Sequence, residues 1–488
     1  MHNLLRFRLN DELIELATLD PTATLLDFIR EQKQLKGTKE GCNEGDCGAC
    51  TVALGTHERG ELVYRPVNAC IQLLGMVHGA HVVTVDSLSN GAGATHPVQD
   101  AMVKHHGSQC GFCTPGIVMS LYCLSLDRKD PPTRETVNTW LAGNLCRCTG
   151  YRPIVDAAME SCFPNNSPEK DVQKVDGFDC SGSLFIGDEN SFFAAPATLE
   201  EALQLYAKHP DATPVAGATD VGLWVTKRLD KLTKILHLGR IKAFDTILQT
   251  NGMIRLGAGA TYETAFSVMS EIDSDIASVI SRIGSRQVRA SGTIGGNIAN
   301  GSPIGDTPPI LIALGATLEL QKAGASRTIP LEEFFIEYGK QDRQSGELVT
   351  AINVPTLKTN ERFRSMKISK RFDQDISAVM AAFKFTVSDD EISEARIVYG
   401  GMAGTPQRAK CTEKELIGAT LKDESSWETA IAALDTDFSP MTDMRASSNY
   451  RGLTAQNTLR KALVELSGVD TLVTRVTAHR TSDLGQTE

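Results

Sequence analysis

GCNEGDCGAC, residues 41–50, sets Cys42, Cys47 and Cys50 on one loop punctuated by Gly41, Gly45 and Gly48, and Cys70 follows on a separate segment. A loop that wraps inorganic sulfide must approach it closely and aim backbone N–H groups at it. Glycine allows the positive φ angles and the close approach this needs.

The order C-x4-C-x2-C followed by a distant cysteine is the plant-type [2Fe–2S] spacing. A zinc site usually shows two C-x2-C knuckles, and this set has one. The flanks predict a β-grasp module: strands over 4–9 and 12–16 around a turn at Asn10-Asp11, an amphipathic helix over 24–32, and further strands over 50–54 and 61–67.

QCGFCTPG (109–116) and GNLCRCTGYRPI (143–154) hold a second set, Cys110, Cys113, Cys146 and Cys148. Thr114-Pro115-Gly116 can start a helix, Thr133 can cap another, and 151–159 reads as a third. The thiols would lie between helix ends in a small bundle. By chemistry alone this set fits zinc or an iron–sulfur cluster. Cys123, Cys162, Cys180 and Cys411 belong to no spaced set and read as ordinary thiols.

The remaining composition sets the frame. At 488 residues the chain needs several domains of about 100–200 residues. Its net charge of -11 argues against nucleic-acid binding. No signal-peptide pattern and no run of about 18 apolar residues is present, so a cytoplasmic location without a membrane span is expected. In that compartment spaced cysteines are metal ligands more often than disulfides.

Beyond the cysteines, residues 163–185 read as a polar linker. Thr198 can start a helix. ATPVAGATDVGLWV (212–225) runs a short strand into Gly217 among small residues, which suits either a diphosphate or a tight turn. SGTIGGNIANGSPIGDTPPIL (291–311) is a second glycine-rich stretch that lacks the Rossmann G-x-G-x-x-G pattern. RLGAGA (255–260) reads as a strand end and turn. The stretches 377–387 and 394–404 read as adjacent strands and 455–466 as a helix. The tail from Thr474 is polar and reads as mobile.

GCNEGDCGAC, QCGFCTPG and GNLCRCTGYRPI, in this order, resemble the iron–sulfur half of the molybdenum hydroxylases, the xanthine dehydrogenase and aldehyde oxidoreductase family. PVAGATD with SGTIGGN…SPIGD resembles that family's FAD-binding domain, of the vanillyl-alcohol-oxidase fold. The resemblance implies a multidomain α+β chain. Its parts would be a β-grasp [2Fe–2S] domain (1–82), a four-helix [2Fe–2S] domain (83–162), a linker (163–185), an FAD-binding domain (186–360), a C-terminal α+β flavoprotein domain (361–470) and a tail (471–488).

It further implies that both cysteine sets hold [2Fe–2S] clusters. The set of Cys110 would lie beside a molybdopterin and the set of Cys42 toward the flavin. Gln109 matches a pterin-contacting glutamine. Val215, Ala216, Gly217, Ala218, Thr219, Asp220 and Val221 would wrap the FAD diphosphate. Thr293, Gly296, Asn297 and Asp306 would hold diphosphate, ribityl and adenosine groups, and Val349 and Lys367 match further flavin contacts. Ile283 stands where animal relatives carry a flavin-stacking phenylalanine, a departure that puts the nicotinamide-stacking geometry in doubt.

The molybdenum part has no counterpart in this sequence. The expectation is an electron-transfer subunit of a xanthine dehydrogenase, paired with a molybdopterin-binding large subunit as an (αβ)2 heterotetramer and using NAD as acceptor. The alternatives are the equivalent subunit of an aldehyde or N-heterocycle hydroxylase, and a free-standing NADH:acceptor flavoprotein.

Overall fold

The computed structural model describes residues 2–58, 60–88, 95–127, 130–162 and 180–475. Two compact units emerge: Met1–Ala243 with Gly284–Gly292, and Phe244–Ile283 with Thr293–Glu488. The division runs through the stretch expected to bind FAD.

The first unit opens with a five-stranded sheet built from β1 (Leu5–Leu9), β2 (Glu12–Leu16), β3 (Thr51–Glu58), β4 (Glu61–Asn68) and β5 (His81–Val83). The order is β2-β1-β5-β3-β4, with only β1 and β5 parallel. Leu5, Phe7 and Leu9 are buried while Arg6 and Arg8 alternate outward, the period-2 signature of a half-buried strand. Each such apolar side chain removed from water contributes about 1.5–3 kcal/mol.

The helix expected over 24–32 forms differently. Thr24 caps it, but only Leu25–Asp27 is α-helical, and Phe28–Gln32 widens into a π turn closed by the Lys33 N–H on the Phe28 carbonyl. The expected strands over 50–54 and 61–67 extend to Glu58 and Asn68, because the hairpin pairs along its whole length.

Four helices follow: Pro97–Lys104, Thr114–Asp127, Arg134–Leu141 and Arg152–Ser161. Thr133 caps the third as expected, and its side chain accepts the Thr136 N–H. Ile117, Leu121, Leu124, Val137, Trp140, Ile154 and Ala158 form their core.

A second sheet completes the unit, with β6 (Leu184–Gly187), β7 (Phe192–Ala195), β8 (Thr213–Val215) and β9 (Lys234–His237) in the order β6-β7-β9-β8. The expected linker therefore ends early, since residues 184 and 185 already lie in β6; residues 163–179 lie outside the described residues. Thr198 and Glu201 form a capping box on the helix Leu199–Lys208. Phe193, Ala195, Val215 and Ile235 of this sheet share one core with Leu5 and Phe7 of the first and with Leu73, beyond β4.

The second unit holds a five-stranded antiparallel sheet of β10 (Ile247–Thr250), β11 (Met253–Gly257), β12 (Thr317–Lys322), β13 (Ala325–Pro330) and β16 (Leu348–Pro355). A hairpin of β14 (Phe335–Glu337) and β15 (Lys340–Gln341) stands apart. The wholly buried helix Thr307–Leu314 and the helix Ile294–Asn300 join its core. The C-terminal part is a sheet of β17 (Glu361–Ile368), β18 (Val379–Ser388), β19 (Glu391–Gly400) and β20 (Gln407–Arg408), covered by Glu428–Asp437 and Ser448–Leu466.

That last helix starts seven residues before the expected Ala455, because the Ser447 side chain caps it by accepting the Tyr450 N–H. The expected tail also starts later. Residues 471–474 are helical, and Arg475 pairs with the buried Asp275 and Glu465. Residues 476–488 lie outside the described residues. No helix among the described residues is long and apolar enough to cross a membrane.

Candidate cofactor sites

The β3–β4 hairpin builds the first cysteine site. Its register pairs Thr51 with Asn68, so Cys50, just before β3, and Cys70, just after β4, leave the sheet at the same end. Both are buried, while Cys42 and Cys47 are half-buried on the loop. The Cys42 sulfur accepts N–H groups of Glu44 and Asp46 at 3.4 Å and of Cys47 at 3.3 Å, and the Cys47 sulfur accepts the Cys42 N–H at 3.3 Å.

Gly45 and Gly48 adopt φ of 79° and 69°, and a Cβ on Gly41 would lie 2.7 Å from the Cys47 sulfur. This is the wrapped, amide-lined loop that the glycines imply. Two residues the sequence reading missed hold it: Asn68 Nδ2 donates to the Gly45 carbonyl at 2.8 Å, and Lys227 Nζ to the Cys42 carbonyl at 2.5 Å.

The thiols interact in sequence, Cys47 with Cys42, Cys42 with Cys70, and Cys70 with Cys50. The contact with Cys47, then that with Cys70, holds Cys42 far below the usual thiol range, while Cys42, Cys50 and burial drive Cys70 far above it. Four thiols this close cannot all ionise unless a cation neutralises them. Among the described residues no group of three or more His, Cys, Asp or Glu is disposed to hold a single metal ion. A two-iron cluster is larger, with two thiolates on each iron, and the donor set and amide lining fit it.

The second site is assembled from helix ends. Cys110 and Cys113 directly precede Thr114–Asp127, and Cys146 and Cys148 lie on the loop before Arg152–Ser161. Cys110 contacts Cys148, and Cys113 contacts Cys146. Burial, then the Cys146 thiol, pushes Cys113 up to about 12. Cys110 and Cys148 are exposed, beside Phe112 and Leu145, which are also exposed. Tyr151, held at φ 68°, accepts the Cys146 N–H at 2.8 Å, and Thr149 Oγ1 lies 3.2 Å from the Cys146 sulfur. Gln109 is exposed ahead of Cys110.

The two loops touch. The Leu145 N–H donates to the Cys47 carbonyl at 3.0 Å, so residues next to or within each set are joined by one hydrogen bond. Beside it lies a buried polar group that no local motif announces. Asn144 Nδ2 donates to the Gly48 carbonyl at 3.1 Å, and Ser120 Oγ donates to Asn144 Oδ1 at 2.7 Å. Gln287 Nε2 reaches Asn144 Oδ1 at 2.9 Å, Ser120 Oγ at 3.1 Å and Thr51 Oγ1 at 3.3 Å. Gln287 Oε1 is buried without a partner, which costs about 1–3 kcal/mol against about 0.5–1.5 kcal/mol gained from each bond made.

In the same unit, Val215 ends β8 and residues 216–220 leave the carboxyl edge of parallel strands, the usual side for ligands in such sheets. A Cβ on Gly217 would lie 1.7 Å from the Ser291 carbonyl oxygen, and Ala218 takes φ 56°. The loop is therefore pressed flat with no room for a larger residue at 217, a cradle of bare backbone that fits a diphosphate. Asp220 accepts the Trp224 indole N–H at 3.0 Å, and Val221 begins the helix Val221–Thr226.

In the second unit, the Thr293 hydroxyl accepts the Gly296 N–H at 3.0 Å and caps Ile294–Asn300. Asn297 Oδ1 accepts the Thr307 hydroxyl at 2.8 Å. Asp306 and Lys367 form a buried pair at 2.5 Å, shared with Ser377. Breaking such a pair costs about 3–5 kcal/mol. Val349 lies in β16 with its side chain in the core, and Ile283 packs against the same core.

Comparison with known proteins identifies the modules. Residues 7–72 match the model of the 2Fe-2S iron-sulfur cluster binding domain, and 84–159 that of the [2Fe-2S] binding domain. Residues 189–357 match the FAD binding domain in molybdopterin dehydrogenase, and 364–466 the CO dehydrogenase flavoprotein C-terminal domain. The chain is 30% identical to xanthine dehydrogenase of Blastobotrys adeninivorans over 89% of its own length and 38% of that protein. It is 31% identical to xanthine dehydrogenase/oxidase of Rattus norvegicus over 84% of its length and 35% of the relative. It thus spans little more than a third of those relatives.

Among solved structures, a reconstituted CO dehydrogenase from Oligotropha carboxidovorans matches with a TM-score of 0.53 and 27% identity, covering 56% of this chain and 96% of that one. Quinoline 2-oxidoreductase from Pseudomonas putida 86 shares the fold, at 23% identity and a TM-score of 0.51, over 56% of this chain and 95% of its own. With two [2Fe–2S]-binding domains, an FAD-binding domain and a CO-dehydrogenase-type flavoprotein domain in this order, the chain belongs to the molybdenum hydroxylase family, as its iron–sulfur and FAD-binding part.

Proposed function

We propose that this chain is the electron-transfer subunit of a xanthine dehydrogenase, carrying electrons from a molybdopterin-binding partner to NAD. The clusters and FAD, when bound, supply one-electron carriage and its conversion to hydride release. The observation that carries the reading is the contact between the two cysteine loops, Leu145 N–H to the Cys47 carbonyl at 3.0 Å.

In this reading Cys110, Cys113, Cys146 and Cys148 hold the outer cluster. Their exposed edge, with Phe112 and Leu145, suits a partner bearing the molybdopterin, and Gln109 contacts the pterin. Cys42, Cys47, Cys50 and Cys70 hold the inner cluster, screened from water. Val215–Val221 binds the FAD diphosphate. Thr293, Gly296, Asn297, Asp306, Val349 and Lys367 are the further flavin residues, and the buried Lys367 Nζ lies 2.5 Å from Asp306 Oδ2.

Xanthine as the partner's substrate is supported by the xanthine dehydrogenases matched over most of this chain. A cytoplasmic (αβ)2 heterotetramer is the proposed assembly. The likeness of the flavin half to CO dehydrogenase supports a second reading, the same role in a hydroxylase with a different substrate.

The test is to purify the chain with its partner and assay it. Two [2Fe–2S] signals, bound FAD and xanthine-dependent NADH formation are expected. Turnover of aldehyde or an N-heterocycle in place of xanthine would select the second reading. Full turnover by the chain alone with a soluble acceptor would select a free-standing flavoprotein, and colourless protein would remove the redox role.

A further inference from the structure

Residues 284–292 lie within the stretch matching the FAD-binding model, yet they belong to the compact unit of the iron–sulfur domains. Ser285 caps the short helix Arg286–Ser291 by accepting the Val288 N–H at 3.2 Å. This strap meets several segments at once. At one end the Arg286 guanidinium lies 3.7 Å above the Trp140 ring, in the four-helix module. At the other, the Ser291 carbonyl is the atom a Cβ on Gly217 would strike.

Between them, Gln287 is 1% exposed and its single amide nitrogen reaches Thr51, Ser120 and Asn144. Thr51 follows Cys50 directly, and Asn144 precedes Cys146 by two residues. Gly143 has no space for a side chain, because a Cβ there would lie 2.2 Å from Gln287 Oε1. Gly48 is equally close to the opposite loop, where a Cβ would lie 2.1 Å from the Gly143 carbonyl. The two cysteine loops are therefore packed backbone against backbone, and the strap presses side chains against them, with the Gln287 amide as their common polar link.

We propose that Gln287 is a positioning residue that fixes the Cys47–Thr51 and Asn144–Cys148 segments against each other and so sets electron transfer between the two cysteine sets. The inference rests on the electron-transfer reading above. An amide suits the task because it donates two hydrogens into a site lined by oxygen acceptors from both modules. An apolar replacement leaves those acceptors facing a gap and frees the loops to move apart.

The experiment uses the full chain in complex with its partner and compares wild type with Gln287→Ala and the milder Ser120→Ala. Iron and flavin content come first, then electron paramagnetic resonance of the reduced clusters, then freeze-quenched electron passage to FAD. Wild type lacking two [2Fe–2S] signals overturns the electron-transfer reading itself. With both signals present, Gln287→Ala is expected to keep iron and FAD while altering the magnetic splitting between the clusters. Electron passage is expected to slow about tenfold or more, since ångström-scale misplacement weighs heavily on rates. Unchanged splitting and rate in Gln287→Ala overturn the proposal. If that variant fails to fold or load, Ser120→Ala decides it in the same way: a smaller change in splitting and rate supports the proposal, and none overturns it.

Discussion

The two cysteine sets differ in what surrounds their sulfur atoms. Cys50 and Cys70 leave paired strands and are 2% and 1% exposed, and the amides of the 41–50 loop cover the sulfurs of Cys42 and Cys47. Cys110 and Cys148 stand at helix ends in solvent, next to exposed Phe112 and Leu145. One set is closed at the end of a sheet; the other keeps Cys146 buried and offers Cys110 and Cys148 at a surface. The contrast teaches that similar ligand sets can be given unlike surroundings: burial insulates a site, and exposure leaves its edge open to approach.

The sharpest way to break this contrast is to remove one thiol from each set. Cys50→Ser should lose the inner [2Fe–2S] signal and also lower the melting temperature, because it unpairs a buried site at the root of the β3–β4 hairpin. Cys148→Ser, at an exposed thiol, should lose the outer signal and block FAD reduction by the partner's substrate in the proposed complex, while NADH-driven dye reduction largely survives. Equal thermal losses in the two variants, measured by calorimetry, would mean that the inner set is no more integral to the fold than the outer.

Gly48→Ala tests the seam between the sets. The new Cβ meets the Gly143 carbonyl at 2.1 Å and must sit at φ 69°. The expected destabilisation is about 2–6 kcal/mol in denaturant titration, from left-handed strain plus overpacking. Gly60→Ala is the control. It also has positive φ, at 88°, but nothing lies within 4 Å, so only the strain component should appear.

A smaller effect should appear with pH. His237, at the end of β9, is buried and held down to about 4 by desolvation, though the Val215 carbonyl opposes the shift. The native ring stays neutral where the unfolded one, with a pKa near 6.5, takes up a proton. The unfolded state thus binds more protons, and stability falls as pH drops from about 6.5 toward 4, by at most about 3 kcal/mol for this group. His237→Gln should flatten that part of the pH–stability curve.

Much of this was legible in the residues. The β1–β2 hairpin, the caps at Thr133 and Thr198, and the strand ending at Val215 follow from alternation and capping, which act over a few residues. Over 24–32 the apolar spacing predicts a helix, and one forms behind Thr24, but its second part widens into a π turn before Lys33. The polarity of the tail predicts mobility from Thr474. Arg475 is instead tied to Asp275, 200 residues away in sequence.

The sequence by itself determined the kinds of site. Cysteine spacing and glycine placement follow from covalent reach and local φ, and these are written in consecutive residues. The tertiary structure alone decided which thiols of each set are buried and which exposed, that the Leu145 N–H meets the Cys47 carbonyl, and that Gln287 links Thr51 to Asn144. Those facts depend on segments between 93 and 236 residues apart coming together. Such contacts are fixed by packing of whole modules, which no local pattern encodes.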